Sequence, residues 1–264
     1  MKRKIVISFL LAFCVAASFA YAGEWVTFNG ASKSGKPGDT FMLKGILTKP
    51  TGQGPFPAIV MLPGSGIEGW EKYFDIWAQR LAGWGYVSLL VDSFGPRGES
   101  DISGNPESIP PLLRAQDAHD GKSYLVGLPF VGRNQIALMG WSHGGWTVLR
   151  AIGENTSFQN RGDPFRCAIA FYPYCDVALQ GFDTPLLILI GERDDWCPAK
   201  SCQLRMPSGK ATPETILKVY PEAYHCFDFE GIDTSRQGHR LLYNPTAAAD
   251  AVEQAKNFLG MYTK

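Results

Sequence analysis

The chain has 264 residues, 45% of them hydrophobic, and its 25 basic and 25 acidic side chains cancel to a formal charge of zero. That balance excludes the basic surplus expected of a partner for nucleic acid or an anionic membrane surface. The length and the absence of repeats, low-complexity tracts and linkers exclude an array or several small domains, and suit one domain with a large core.

In chain order, residues 1–22 read as a secretory signal peptide. Lys2, Arg3 and Lys4 precede the apolar run Ile5 to Phe19, and Ala20-Tyr21-Ala22 is a small-x-small cleavage site before Gly23. The run is short for a membrane anchor. The expectation is an exported protein, periplasmic or secreted, with no stable membrane association after cleavage. Removing the three basic residues of the leader leaves 242 residues, with 22 basic against 25 acidic side chains, a net charge of −3.

Residues 23–264 then alternate between two patterns. Short apolar runs at 58–62, 86–91, 136–139, 168–172, 186–190 and 215–220 suit buried strands, and the spacing predicts helices over 70–84, 109–128, 144–152, 199–206 and 245–262. Such alternation predicts an α/β fold with a mostly parallel sheet covered on both faces. Runs at 25–29 and 41–48 would add antiparallel edge strands, making about eight in all. The 13 residues 173–185 between two of the strands are too few for a cap domain, which leaves the 93–108 loop as a partial lid.

The stretch Gln135 to Trp146 carries the chemistry: an apolar strand runs into Gly140-Trp-Ser142-His-Gly144 and then into a helix. A serine between such glycines fits a sharp strand-to-helix turn that lifts its hydroxyl above the sheet. The same turn aims the backbone N–H of His143 at the place where an oxyanion forms. Four histidines are available as the base. His143 is too close in the chain, His119 lies in a helical pattern and His239 in a polar loop, whereas His225 follows a strand at its carboxyl end. The strand 186–190 leads to Gly191-Glu-Arg-Asp194-Asp195, and Asp194, in Gly-x-x-Asp-x-x-x-Pro, is preferred over Asp195 as the acid. The order Ser142, Asp194, His225 is that of an α/β-hydrolase. The loop Pro63-Gly-Ser65-Gly66 would supply the second oxyanion donor from Ser65 or Gly66, with Ser65 favoured.

The sequence resembles the dienelactone hydrolase family over nearly all of residues 23–264. The resemblance rests on Pro57 to Gly66, Asp92 to Gly98, Gly140 to Gly145, Gly191 to Asp195, Tyr220 to His225 and Gly238 to Tyr243. Founding members carry cysteine where this chain has Ser142, and many relatives have histidine where Pro63 stands. The resemblance implies a serine hydrolase of a small ester or lactone that needs no metal or cofactor, on an α/β-hydrolase fold. A peptidase, an acyl-sugar esterase and a catalytically inactive binding protein are the alternatives on the same fold.

Of the five cysteines after the leader, Cys167 lies in an apolar run and is expected to be free. If Asp194 bonds His225 their loops touch, which motivates a Cys197–Cys226 bridge, with Cys175–Cys202 as the second; the rival pairing is Cys197–Cys202. A zinc site from Cys197, Cys202, His225 and Cys226 is a rival, but its spacing is atypical. Arg97 is a candidate grip for a substrate carboxylate, with an ion pair to Asp117 as the alternative. Trp141 and Trp196 are candidate pocket walls. Gly64-Ser-Gly66-Ile-Glu-Gly69 also has the outline of a dinucleotide-binding turn, but its first glycine lies 28 residues before Asp92, longer than that motif allows.

Overall fold

The fold follows from where the apolar runs can be buried. A computed structural model describes residues 23–30, 33, 41–153, 163–209 and 213–264; the signal-peptide reading of residues 1–22 lies outside them. The chain opens with strands β1 (Glu24–Gly30) and β2 (Phe41–Thr48), paired antiparallel. Strands β3 (Phe56–Leu62), β4 (Val87–Asp92), β5 (Val131–Trp141), β6 (Ala168–Phe171), β7 (Leu186–Gly191) and β8 (Thr215–Tyr220) follow. The eight form one sheet in the order β1-β2-β4-β3-β5-β6-β7-β8. Pairing is antiparallel from β1 through β4 and parallel from there to β8.

Every residue of β4, β6 and β7 is buried, as a sheet covered on both faces requires, so β6 and β7 read as continuous apolar runs and β4 as one interrupted only by Ser88 and Asp92. A fully buried Val, Leu or Ile contributes roughly 1.5–3 kcal/mol relative to exposure. Helices α1 (Glu71–Gly83), α2 (Pro111–Val126), α3 (His143–Ala151), α4 (Ala199–Gln203) and α5 (Pro245–Thr263) fall within the predicted spans to within two residues, apart from the shorter α4. Both α2 and α5 begin with proline in the first turn, where the missing N–H costs nothing, and Asn244 caps α5 by accepting the Ala247 N–H at 3.0 Å. Helices α2 and α3 pack on each other, while α1 and α5 line a common groove.

Two local departures matter. Strand β5 starts at Val131 rather than Ile136, because its half-exposed lead lacks the apolar signal. A hairpin, β9 (Asp233–Arg236) and β10 (His239–Leu242), stands where the sequence reads as polar loop. The connection 172–185 contains no helix or strand.

Candidate active site

Ser142 joins β5 to α3 with φ 53° and ψ −117°, a strained conformation for a residue with a side chain. The neighbouring glycines permit it. A Cβ on Gly144 would lie 2.1 Å from the Leu62 carbonyl oxygen, and one on Gly140 would lie 2.3 Å from that of Gly144. The Ser142 carbonyl accepts the Trp146 N–H at 2.9 Å and starts α3, so the hydroxyl sits at the helix's N-terminal end above the sheet.

His225 Nε2 lies 2.9 Å from Ser142 Oγ, and His225 Nδ1 lies 2.8 Å from Asp194 Oδ2. The other carboxylate oxygen accepts the N–H groups of Trp196 at 3.0 Å and Cys197 at 2.7 Å. The turn after β7 therefore fixes Asp194, which orients the imidazole with its proton on Nδ1 and leaves Nε2 to accept from the serine. Both His225 and Asp194 are buried, at 1% and 3% exposure, so the array is shielded from water. The rings of Tyr172 and Trp196 flank the imidazole with centroids 4.7 and 5.2 Å away. Asp195 is exposed and accepts the Arg240 N–H at 3.2 Å, away from the serine. Among the described residues, three of the five non-glycine positions with positive φ are Ser142, Tyr172 and Cys226, all at this site.

Ser65 lines the pocket beside Gly64, and His143 follows the serine. The His143 side chain turns into the protein, where Nδ1 meets Arg114 Nη1 at 2.7 Å and Nε2 meets the Pro106 carbonyl at 2.9 Å. Burial, reinforced by the Arg114 charge, pushes its pKa down to about 3. It is therefore neutral, accepting from the guanidinium and donating to the carbonyl.

Ser142 opens into a pocket of about 530 Å³ including its mouth, walled by Trp70, Tyr73, Phe74, Trp141, Trp196 and Phe229. Trp141 and Trp196 are thus brought to the site. Arg97 is not: its Nη1 and Nη2 donate to Asp117 at 2.8 and 2.9 Å, and it also bonds the carbonyls of Ser93 and Lys33. Its role as a carboxylate grip is corrected to the structural ion pair, because Asp117 on α2 is buried and needs a cation. The Cys175–Cys202 disulfide is formed, which engages one member of the rival zinc set. The Cys197–Cys226 bridge is corrected: both are buried free thiols, as is Cys167. Their loops do meet, but Cys226 takes φ 57° and its thiol meets the Tyr172 hydroxyl.

Sequence reasoning missed two groups. Asp228 accepts from Tyr73 at 2.5 Å, Tyr172 at 2.9 Å and Trp77 at 3.3 Å, tying the pocket's back wall together. Burial raises its pKa and those of both tyrosines. At the mouth, Arg236 of β9 pairs with Asp101 and donates to Ser103 Oγ at 3.2 Å, clasping the hairpin to the 93–108 loop. A further bridge joins Gly66 to Asp101. The charge of Arg236 was visible in the sequence, but its partners are more than a hundred residues away. Among the described residues, no helix is long and apolar enough to cross a membrane.

Comparison with known proteins agrees with this fold. A Bradyrhizobium protein named a probable 2-oxo-3-(5-oxofuran-2-ylidene)propanoate lactonase is 25% identical over 228 residues, covering 78% of this chain and 84% of its own. A dienelactone hydrolase-like promiscuous phosphotriesterase from metagenomic libraries superposes with TM-score 0.66 at 18% identity, over 92% of this chain and 100% of that one. The acylaminoacyl peptidase of Pyrococcus horikoshii shares the fold at TM-score 0.61 and 17% identity, over 92% of this chain but 42% of the peptidase. The family model of the dienelactone hydrolases matches residues 43–263, so the chain belongs to the dienelactone hydrolase family and is a hydrolase of the α/β-hydrolase fold.

Proposed function

We propose that this protein is an exported serine hydrolase that cleaves small uncharged esters or lactones through an acyl-enzyme. The observation that carries the reading is the unbroken line from Asp194 through His225 to Ser142 Oγ, opening on an aromatic pocket. His225 Nε2 takes the serine proton as Oγ attacks the carbonyl carbon, and the backbone N–H groups of Ser65 and His143 receive the oxyanion. His225 then protonates the departing alcohol oxygen. Water, deprotonated by the same nitrogen, attacks the acyl-serine and releases the acid, restoring Ser142. In a lactone the alcohol stays tethered to the acyl group and the product is one hydroxy acid.

The preference for an uncharged substrate rests on Arg236, the cation among the pocket's lining residues, whose charge Asp101 already neutralises. Export is supported by the leader pattern of residues 1–22 and by the Cys175–Cys202 disulfide, a bond favoured in oxidising compartments. The named activity of the Bradyrhizobium relative favours a lactone as one substrate class.

The test is a panel of p-nitrophenyl esters of graded acyl length with a lactone and an aminoacyl-nitroanilide, beside fluorophosphonate labelling. Short neutral esters or the lactone should turn over fastest, and Ser142→Ala should abolish both turnover and labelling. An unlabelled wild type, or equal labelling of Ser142→Ala, would overturn the hydrolase reading at this serine. Faster cleavage of the nitroanilide would move the protein to the peptidases.

A further inference from the structure

A buried cation stands directly behind the oxyanion hole. Arg114, on α2, is completely buried, yet among the described residues its terminal nitrogens bond no carboxylate. Nη2 donates to the Pro63 carbonyl at 2.7 Å, and Nη1 donates to the Gly64 carbonyl at 3.0 Å and to His143 Nδ1 at 2.7 Å. The nearby carboxylates are engaged elsewhere: Asp117 holds Arg97, and Asp92 Oδ1 accepts the N–H groups of Phe94 and Gly95. The guanidinium lies over the Phe94 ring at 4.6 Å, which holds its plane. Its Nε finds no acceptor among the described residues. Burying a guanidinium is costly, and burial lowers the pKa of this one to about 9. Among the described residues, the bonds it makes in return fall on the two segments that border the oxyanion.

We propose that Arg114 is a positioning residue that sets both donors of the oxyanion hole. This rests on the hydrolase reading of Ser142. The peptide link between Gly64 and Ser65 is planar and trans, so its C=O and N–H point in opposite directions. With the Gly64 oxygen drawn to the guanidinium, the Ser65 N–H faces away from α2. Gly64 itself faces the nucleophile, since a Cβ there would lie 3.6 Å from Ser142 Cβ. The charge also polarises that peptide, which strengthens the N–H as a donor. Gly66 is turned to another task, as its bridge to Asp101 and the Ser65 carbonyl's bond to the Ile102 N–H at 2.8 Å tie it to the neighbouring loop. The geometry therefore assigns the second donor to Ser65. On the other wall, the bond to neutral His143, itself anchored on Pro106, fixes the residue whose N–H is the first donor.

The test compares Arg114→Lys and Arg114→Met with wild type on one p-nitrophenyl ester, with inhibition by a matched trifluoromethyl ketone, whose tetrahedral adduct bears the oxyanion. Rates are normalised to the folded fraction measured by circular dichroism. Arg114→Met should lower kcat about 100-fold, within the range seen for loss of an oxyanion donor, with KM changed less than about threefold. The ketone's Ki should rise by the same factor as kcat falls, and Arg114→Lys, which restores one charged donor, should recover about tenfold of both. A purely structural role would lower the melting temperature and the folded fraction and leave normalised kcat and Ki alone; that result overturns the proposal. If Arg114→Met does not fold, Arg114→Lys decides: wild-type kcat and Ki in that variant refute it. A wild type inert to ester and fluorophosphonate would overturn the hydrolase reading, whereas an active wild type with unaffected variants overturns this inference alone.

Discussion

Replacing Asp194 by asparagine separates orientation of the base from every other effect of the acid. Asp194 Oδ1 is fixed by two backbone N–H groups, at 3.0 and 2.7 Å, so asparagine keeps its carbonyl oxygen there and turns its NH2 toward His225. The imidazole must then accept at Nδ1 and carry its proton on Nε2, the nitrogen that has to receive the Ser142 proton. An equivalent exchange in a serine protease costs about 10⁴-fold in kcat, or about 5 kcal/mol of transition-state stabilisation. Asp194 does not line the pocket, so KM should hold. The shape is conserved, so the melting temperature should shift little. Stopped-flow release of p-nitrophenol measures acylation directly, with Asp195→Asn as the control. Asp195 is exposed and bonds only the neighbouring hairpin, so that variant should stay within about threefold of wild type. An Asp194→Asn enzyme within tenfold of wild type, or an equal loss in Asp195→Asn, would refute the reasoning.

Three further outcomes follow from packing and charge. Arg97→Ala strands the buried Asp117 carboxylate and should cost about 3–5 kcal/mol of stability in urea unfolding. The ester KM should stay unchanged, and a raised KM with intact stability would restore Arg97 to the substrate site. Replacing Cys175 and Cys202 by serine opens a loop with a sequence separation of 27 and should cost about 3.5 kcal/mol by the chain-entropy relation; no loss would show that the bridge leaves the unfolded chain unconstrained. His143, with its folded pKa pushed down to about 3, stays neutral in the fold while the unfolded chain takes up a proton below about pH 6.5. Its contribution is thus fully present above pH 6.5 and lost as the pH falls toward 3, at up to about 1.4 kcal/mol per pH unit. Unfolding free energies of wild type and His143→Asn should converge at about that rate between pH 6 and 4, and a constant difference would refute the assignment.

The sheet was legible because a strand buried on both faces must be apolar throughout: Leu186–Gly191 and Ala168–Phe171 announce themselves. Ser142, Asp194 and His225 were legible as candidates because each lies a few residues past the carboxyl end of a strand. The hairpin was hidden because both strands are only four residues long, Asp233–Arg236 is polar and largely exposed, and His239–Leu242 holds just one fully buried residue. Arg114 left a signal that could have been used: it falls on the buried stripe of α2 with Pro111, Ala115, Ala118 and Leu125. A charge on an apolar stripe needs an internal partner, but spacing along a helix does not say which segment provides it. The Cys197–Cys226 pairing failed for a related reason. Contact between two loops follows from the hydrogen bond between Asp194 and His225, whereas the direction of a thiol depends on backbone angles such as the positive φ at Cys226.

The Arg236 clasp makes the entrance a bridged gap rather than a lidded one. Its two abutments, the 93–108 loop and the β9–β10 hairpin, lie outside the eight-stranded sheet. The serine and its partners are anchored at strand ends, so the span across the doorway can be widened or narrowed by residues that carry no part of the reaction. Each abutment also touches the site, the loop through the Gly66–Asp101 bridge and the hairpin through the His225–Leu241 bridge, so a change in the span is felt at the oxyanion loop and at the imidazole.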